Sequence, residues 1–199
     1  MLYVGRVSTE KNLPMLAAIW PRVRRRALEA GVQAHLVVVG GGPYLEQMQA
    51  ALAGQGAVFA GFKHGRELAE LYASSDLFVF PSLTDTLGQV VLESQASGVP
   101  VVVADQGGPK EVVDDGRTGL VLPGRSPEAW VSAIADLVVD HGRRRAMGQA
   151  AQAWAKRFSI ASSFEAFWSA HEALLDEGPA RRAAAHAGHS NKTQPSAAC

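Results

Sequence analysis

The 199-residue chain sets 19 lysines and arginines against 19 aspartates and glutamates, so its formal net charge is zero. That balance argues against a broad electrostatic partner such as nucleic acid or an anionic membrane surface, and no apolar run approaches the ~20 residues a bilayer span needs. The single cysteine, Cys199, closes the chain and excludes an intrachain disulfide and a cysteine metal cluster; with no signal-peptide pattern at the start, the expectation is a cytoplasmic protein.

Leu2–Val4 reads as a strand that runs straight into a glycine turn. Helical periodicity follows over Leu13–Ala30, then a β-branched run at Leu36–Val39, a Gly40-Gly41-Gly42-Pro43 turn and a helix over Tyr44–Ala53. Val58–Ala60 is a strand, Arg66–Ala73 a helix, Leu77–Phe80 a strand and Gly88–Ser97 a helix. Val101–Ala104 and Leu120–Leu122 complete the strands, and Pro127–Val139, His141–Lys156 and Ser159–Leu175 the helices, the last with Ser159 as its cap. Several strands are apolar on both faces, as strands covered by helices on each side must be. The alternation predicts an α/β fold, a Rossmann-like parallel sheet with helices on both faces. Residues 1–175 form one domain on this reading; 176–199 lose their large apolar side chains and are expected to be a disordered tail. Met1 abuts the first strand, so either the domain is complete or something that preceded it has been lost.

In an open parallel sheet, ligands bind beyond the carboxyl ends of the strands. Four segments fall there. Gly5-Arg6-Val7-Ser8-Thr9-Glu10-Lys11-Asn12 carries a planar cation, Arg6, and a point cation, Lys11, five residues apart. A diphosphate suits two such donors, although solvated surface charge explains them equally well taken alone. The glycine turn around Gly41 lets backbone come close to a ligand, or is simply a tight strand-to-helix turn. After Pro81 a polar loop, Ser82 to Thr86, leads to a helix starting near Leu87 or Gly88. The unpaired N–H groups there, reaching Gln89, make an anion site. Glu93, two turns into that helix, is suited to the vicinal hydroxyls of a ribose, while Asp85 or Thr86 could instead cap the helix. Asp105-Gln106-Gly107-Gly108-Pro109-Lys110-Glu111 repeats the strand, turn and helix pattern.

Taken together, Gly-Arg-x-x-x-Glu-Lys-Asn, Val-Val-Gly-Gly-Gly-Pro, Phe-Pro-Ser before an acidic loop, Val-Leu-Glu-x-x-Ala-Ser-Gly-Val-Pro-Val-Val and Gly-Gly-Pro-x-Glu resemble, in order and rough spacing, the "glycosyl transferases group 1" family of retaining GT-B enzymes. The resemblance covers roughly Leu2 to Leu175. It implies the C-terminal, nucleotide-sugar-binding half of a GT-B fold, with a preceding acceptor domain absent. Arg6 and Lys11 match the pair that grips the donor diphosphate, and Glu93 the glutamate that holds the ribose. Asp85 stands at the first acidic position of the Glu-x7-Glu motif that contacts the donor sugar, where many members have Glu. Thr86, Leu87, Gly88 and Gln89 match the loop and helix start facing sugar and phosphate, with Gly5 and Gly41 beside them. Gly61-Phe62-Lys63 lies where the family places its nucleobase.

The resemblance further implies transfer of a hexosyl group to a glycan or lipid, with no metal or other cofactor. A UDP-sugar ranks first as donor and a GDP-sugar second. The full-length enzyme would work in the cytoplasm or at the inner face of the membrane, and this chain alone would bind donor without transferring. None of the six histidines matches the family's catalytic histidine, which belongs to the absent domain. Two alternatives stay open, a non-catalytic nucleotide-sugar-binding module and a fragment of a related epimerase. Phe158, Phe164, Phe167, Trp168 and Leu174 gather apolar bulk on the last helix, which in GT-B enzymes packs on the N-terminal domain. Packing of that face on the sheet of its own domain is the plainer reading; the other expectation is that the isolated chain self-associates or frays there.

Overall fold

The computed structural model describes residues 1–159 and 161–172 and divides the chain into two units, Met1–Lys156 and Arg157–Cys199. In the first unit six parallel strands form one sheet: β1 (Leu2–Val4), β2 (Leu36–Val39), β3 (Ala57–Gly61), β4 (Phe78–Phe80), β5 (Val101–Ala104) and β6 (Gly119–Leu122). Their order is β3-β2-β1-β4-β5-β6. The helices are α1 (Leu13–Glu29), α2 (Leu45–Ala51), α3 (Gly65–Ala73), α4 (Gln89–Ala96), α5 (Pro127–Val139) and α6 (His141–Ala155). Right-handed crossovers send the chain outward in one direction from β1 and in the other from β4. Accordingly α1 packs on α2 and α5, whereas α4 packs on α3 and α6.

The central strands are buried on both faces, which is why they read as unbroken apolar runs: every residue of β1, β4 and β5 is buried. Trp20 of α1 and Trp130 of α5 are fully buried, and each indole N–H finds a backbone carbonyl, Gln55 at 2.7 Å and Pro123 at 3.0 Å. The sequence-predicted strands and helices recur within a residue or two. The helix expected from Gly88 starts at Gln89, because Gly88 takes the left-handed conformation that ends the preceding loop.

Of the second unit, residues 161–172 are helical. Phe164 stacks on Trp168 at 6.2 Å and Phe167 on His171 at 6.3 Å, each pair one turn apart, so the aromatic residues share a face as their spacing predicts. Leu174 and the tail from 176 lie outside the described residues. Among the described residues, no helix is long and apolar enough to cross a membrane.

Two side chains fix the turn from α5 into α6: Asp140 Oδ1 caps α6 by accepting from Arg143 N–H at 2.8 Å, and Arg144 closes the end of α5. Arg144 donates through Nη1 to the carbonyls of Leu137 (2.7 Å) and Val138, pairing the open end of α5 and placing a cation at its negative pole. Its side chain is only 12% exposed. Arg144→Met keeps the stem and removes those donors, and is expected to cost ~1–3 kcal/mol in urea unfolding, the range for stranded buried acceptors. Arg143→Met, one residue earlier and exposed, is expected to change little.

Candidate donor-binding cleft

Between β1 and β4 the direction of the crossovers reverses, and there the loops after the two strands part to leave a cleft of about 380 Å³. Gly5, Arg6, Glu10 and Lys11 line it from the β1 side, and Asp85, Gly88 and Gln89 from the β4 side, over the ring of Phe80. Of the sequence-predicted residues, the structure therefore brings together Gly5, Arg6, Lys11, Asp85, Gly88 and Gln89. Thr86 and Leu87 are exposed on the same loop. Gly41, Phe62, Lys63 and Glu93 lie outside this lining.

Each wall is fixed by backbone contacts between loops. Gly5 N–H donates to Val39 O at 3.0 Å and Val7 N–H to Gly41 O at 2.9 Å, so the β1 loop leans on the glycine turn after β2. The triplet thus lets two backbones meet, the plainer of its two readings. A Cβ on Gly41 itself would lie 2.8 Å from the ring of Phe62, which sits over that turn and is 71% exposed. Lys63 is tied to Glu67 at 3.3 Å.

On the other wall, Gly108 N–H donates to Asp85 O at 2.8 Å, and a Cβ on Gly108 would run into the Thr86 carbonyl. The Asp105–Glu111 motif is therefore the support of the Asp85–Gly88 loop. Gly88 adopts φ 70° at the N-cap of α4, where a Cβ would also press on Pro109 at 2.8 Å. Neither Asp85 nor Thr86 caps the helix, since α4 has no side-chain cap bond.

Asp85 instead binds Lys11, Oδ2 to Nζ at 2.8 Å, with both side chains largely shielded from solvent at 25% and 18% exposure. Arg6 lies 3.7 Å from Glu10, and both are exposed. Glu93, one turn beyond Gln89 on α4, accepts a hydrogen bond from the Tyr72 hydroxyl at 3.0 Å. Tyr3 donates from below the β1 loop to Arg6 O at 2.9 Å. Sequence reasoning missed both tyrosines. The available signal was a phenol inside an apolar strand or on the apolar face of a short helix, which needs a polar partner.

A parallel sheet in this order, with cations and a helix start facing each other at the reversal, defines a Rossmann-like nucleotide-binding architecture. Residues 1–140 match the family model Glycosyl transferases group 1, and the chain belongs to that family. It is 36% identical over 155 residues to the sulfoquinovosyl transferase SQD2 of Arabidopsis thaliana, covering 76% of this chain and 29% of that protein. It is 37% identical over 163 residues to the GDP-mannose-dependent alpha-(1-6)-phosphatidylinositol monomannoside mannosyltransferase of Mycolicibacterium smegmatis, covering 76% and 42%. Among solved structures, Anabaena HepE in complex with UDP shares the fold with a TM-score of 0.74 at 21% identity, over 87% of this chain and 48% of that one. The fold is that of GT-B glycosyltransferases, and the chain spans less than half the length of each of these relatives.

Burial and nearby carboxylates hold both site phenols neutral. Burial pushes the Tyr3 hydroxyl well above the ordinary tyrosine range, helped by Asp85 and Glu10, and burial with Glu93 does the same to Tyr72. A group whose pKa rises on folding stabilises the fold fully below its unfolded pKa of about 10, and that contribution is lost as pH climbs toward the folded value. Stability should therefore fall above about pH 10, by up to ~1.4 kcal/mol per pH unit for each withheld phenolate. Urea unfolding across pH 8.5–11.5 tests this, and Tyr3→Phe with Tyr72→Phe should flatten the slope.

Proposed function

We propose that this chain is the donor-binding part of a retaining glycosyltransferase that moves a hexosyl group from a nucleoside-diphosphate sugar to a glycan or lipid acceptor. The observation that carries the reading is the meeting of Arg6, Lys11, Asp85 and the start of α4 in one cleft at the sheet reversal. Breaking the sugar–phosphate bond leaves negative charge on a departing diphosphate. Arg6 and Lys11 supply cations to it, and the first-turn N–H groups at Gln89 and Val90 supply aligned donors. With that charge met by the protein, the reaction is metal-independent in this reading.

Asp85 faces the donor sugar across the same cleft and accepts from its hydroxyls. Glu93 takes the ribose hydroxyls one turn along α4, so the nucleoside extends from the cleft toward Gly41, Phe62 and Lys63. The UDP held by the structural neighbour supports a UDP-sugar, and the mycobacterial relative named for GDP-mannose supports a GDP-sugar. That relative, named for a phosphatidylinositol monomannoside, supports a lipid acceptor; work at the inner face of the membrane is part of the proposal. Acceptor binding belongs, in this reading, to a further domain of the full-length enzyme, so the chain alone binds donor and does not transfer it.

Calorimetric titration with UDP, GDP and inorganic pyrophosphate tests the assignments. Arg6→Ala is expected to weaken all three by ~1.5–3 kcal/mol, the scale of a hydrogen bond to a charged group. Glu93→Ala should penalise the nucleotides and spare pyrophosphate; an equal loss would take Glu93 away from the ribose. Affinity should be unchanged by a chelator, and rapid glycoside formation by the purified chain would refute the division of labour.

A further inference from the structure

We infer that Tyr72 and Tyr3 are positioning residues of the donor site, holding Glu93 and the Arg6 segment from opposite ends of one buried aromatic row. The inference rests on the donor reading above and adds what sets the spacing of its two grips. Phe78 and Phe80 alternate along β4 and so point to the same face, with ring centroids 6.1 Å apart and planes within 17°. Tyr3, on the neighbouring strand β1, stacks on Phe80 at 6.0 Å and 17°. Tyr72, at the end of α3, packs tilted against Phe78 at 5.8 Å. All four rings are at most 3% exposed.

The row ends in two hydroxyls, and each is spent on a residue of the proposed site. Tyr3 donates to the backbone carbonyl of Arg6, fixing where the diphosphate cation leaves the main chain. Tyr72 donates to Glu93 Oε2, which fixes the carboxylate plane and thereby the direction of Oε1. A carboxylate bound by one hydroxyl retains acceptor sites for a vicinal diol. Rings close-packed in a core move little, so the row acts as a spacer between β1 and α4 that loop flexibility does not set. The simpler account is that buried phenols merely satisfy themselves locally. In that account their loss would weaken every ligand alike, in step with stability.

The test titrates the full chain and its Tyr72→Phe, Tyr3→Phe and Glu93→Gln variants with UDP and GDP, their 2′,3′-dideoxy analogues and inorganic pyrophosphate. Tyr72→Phe is expected to weaken the ribonucleotides about tenfold while the dideoxy analogues and pyrophosphate hold, the size of one hydrogen bond to a charged group. Tyr3→Phe is expected to weaken all probes to a similar degree, pyrophosphate included, with its melting temperature unchanged; losses that follow a lowered melting temperature overturn the Tyr3 half of the inference. Phe78→Leu, which loosens the row and leaves both hydroxyls, should erode the ribose-to-dideoxy ratio in part and serves if Tyr72→Phe folds poorly. Uniform losses from Tyr72→Phe that track its melting temperature overturn the inference. Glu93→Gln separates the layers. If it leaves the ratio unchanged, the ribose assignment fails and takes this inference with it. If it collapses the ratio while Tyr72→Phe does not, the positioning role alone fails. A chain that binds none of the probes removes both.

Discussion

Between β1 and β4 the ladder registers one residue pair, Leu2 with Phe78, beside the bond from Leu2 N–H to Leu77 O at 2.8 Å, while Tyr3 stacks on Phe80 across the junction. From this junction the crossovers run to opposite sides, so no loop can bridge the carboxyl ends of the two strands, and a gap must open above them. Everything proposed for the cleft depends on that gap. It allows a 3-10 turn over Thr9–Lys11 to bring Lys11 in from one side while the Asp85–Gly88 loop comes in from the other. Asn12, left-handed at φ 56°, ends that turn and starts α1, and its amide donates to Gly124 O at 3.1 Å. Gly124 in turn donates to Asp105 at 2.9 Å. The rim of the cleft is thus cross-linked from β1 through β6 to β5, which anchors the turn that carries Lys11.

The charges within the cleft are not equivalent. Lys11 and Asp85 sit largely shielded at 2.8 Å, where attraction is screened less, while Arg6 and Glu10 are 3.7 Å apart in solvent and gain little from each other. In the proposed reading, a diphosphate meets Arg6 nearly free and Lys11 engaged with Asp85.

Much of this was legible in the sequence because two periodicities switch cleanly along the chain. Runs such as Val101–Ala104 are short, β-branched and apolar throughout, with Pro100 before and Asp105-Gln106-Gly107 after, so they read as strands covered on both faces. Arg6, Lys11 and Asp85 were legible as neighbours because the loops that carry them leave the carboxyl ends of β1 and β4, and the structure brings the three to one cleft; the roles given to them came from the family resemblance. What escaped is what depends on pairs far apart in sequence. Tyr72 meets Glu93 across two helices; the exception is Tyr3, whose bond to the Arg6 carbonyl spans three residues and escaped because a side-chain-to-backbone bond leaves no periodicity. Gly108 looks like any turn glycine until the Thr86 carbonyl is found where its Cβ would stand. The start of α4 was misjudged by one residue because a left-handed Gly88 leaves the composition of the helix unchanged.

The same reasoning gives the aspartate at position 85 a physical meaning. Its backbone is pinned, since its carbonyl accepts from Gly108 and the loop beyond is closed by Thr86 and Gly107. With the Cα fixed, the length of the side chain decides where the carboxylate falls, and aspartate places it against Lys11. A glutamate would carry its charge one methylene further, past the lysine. In the proposed reading, then, Asp85 serves two partners in sequence. It neutralises Lys11 while the cleft is empty, and it turns to the sugar only when a diphosphate has drawn Lys11 away. Recognition of the sugar is thereby coupled to recognition of the phosphate, which a longer, independent carboxylate would not require.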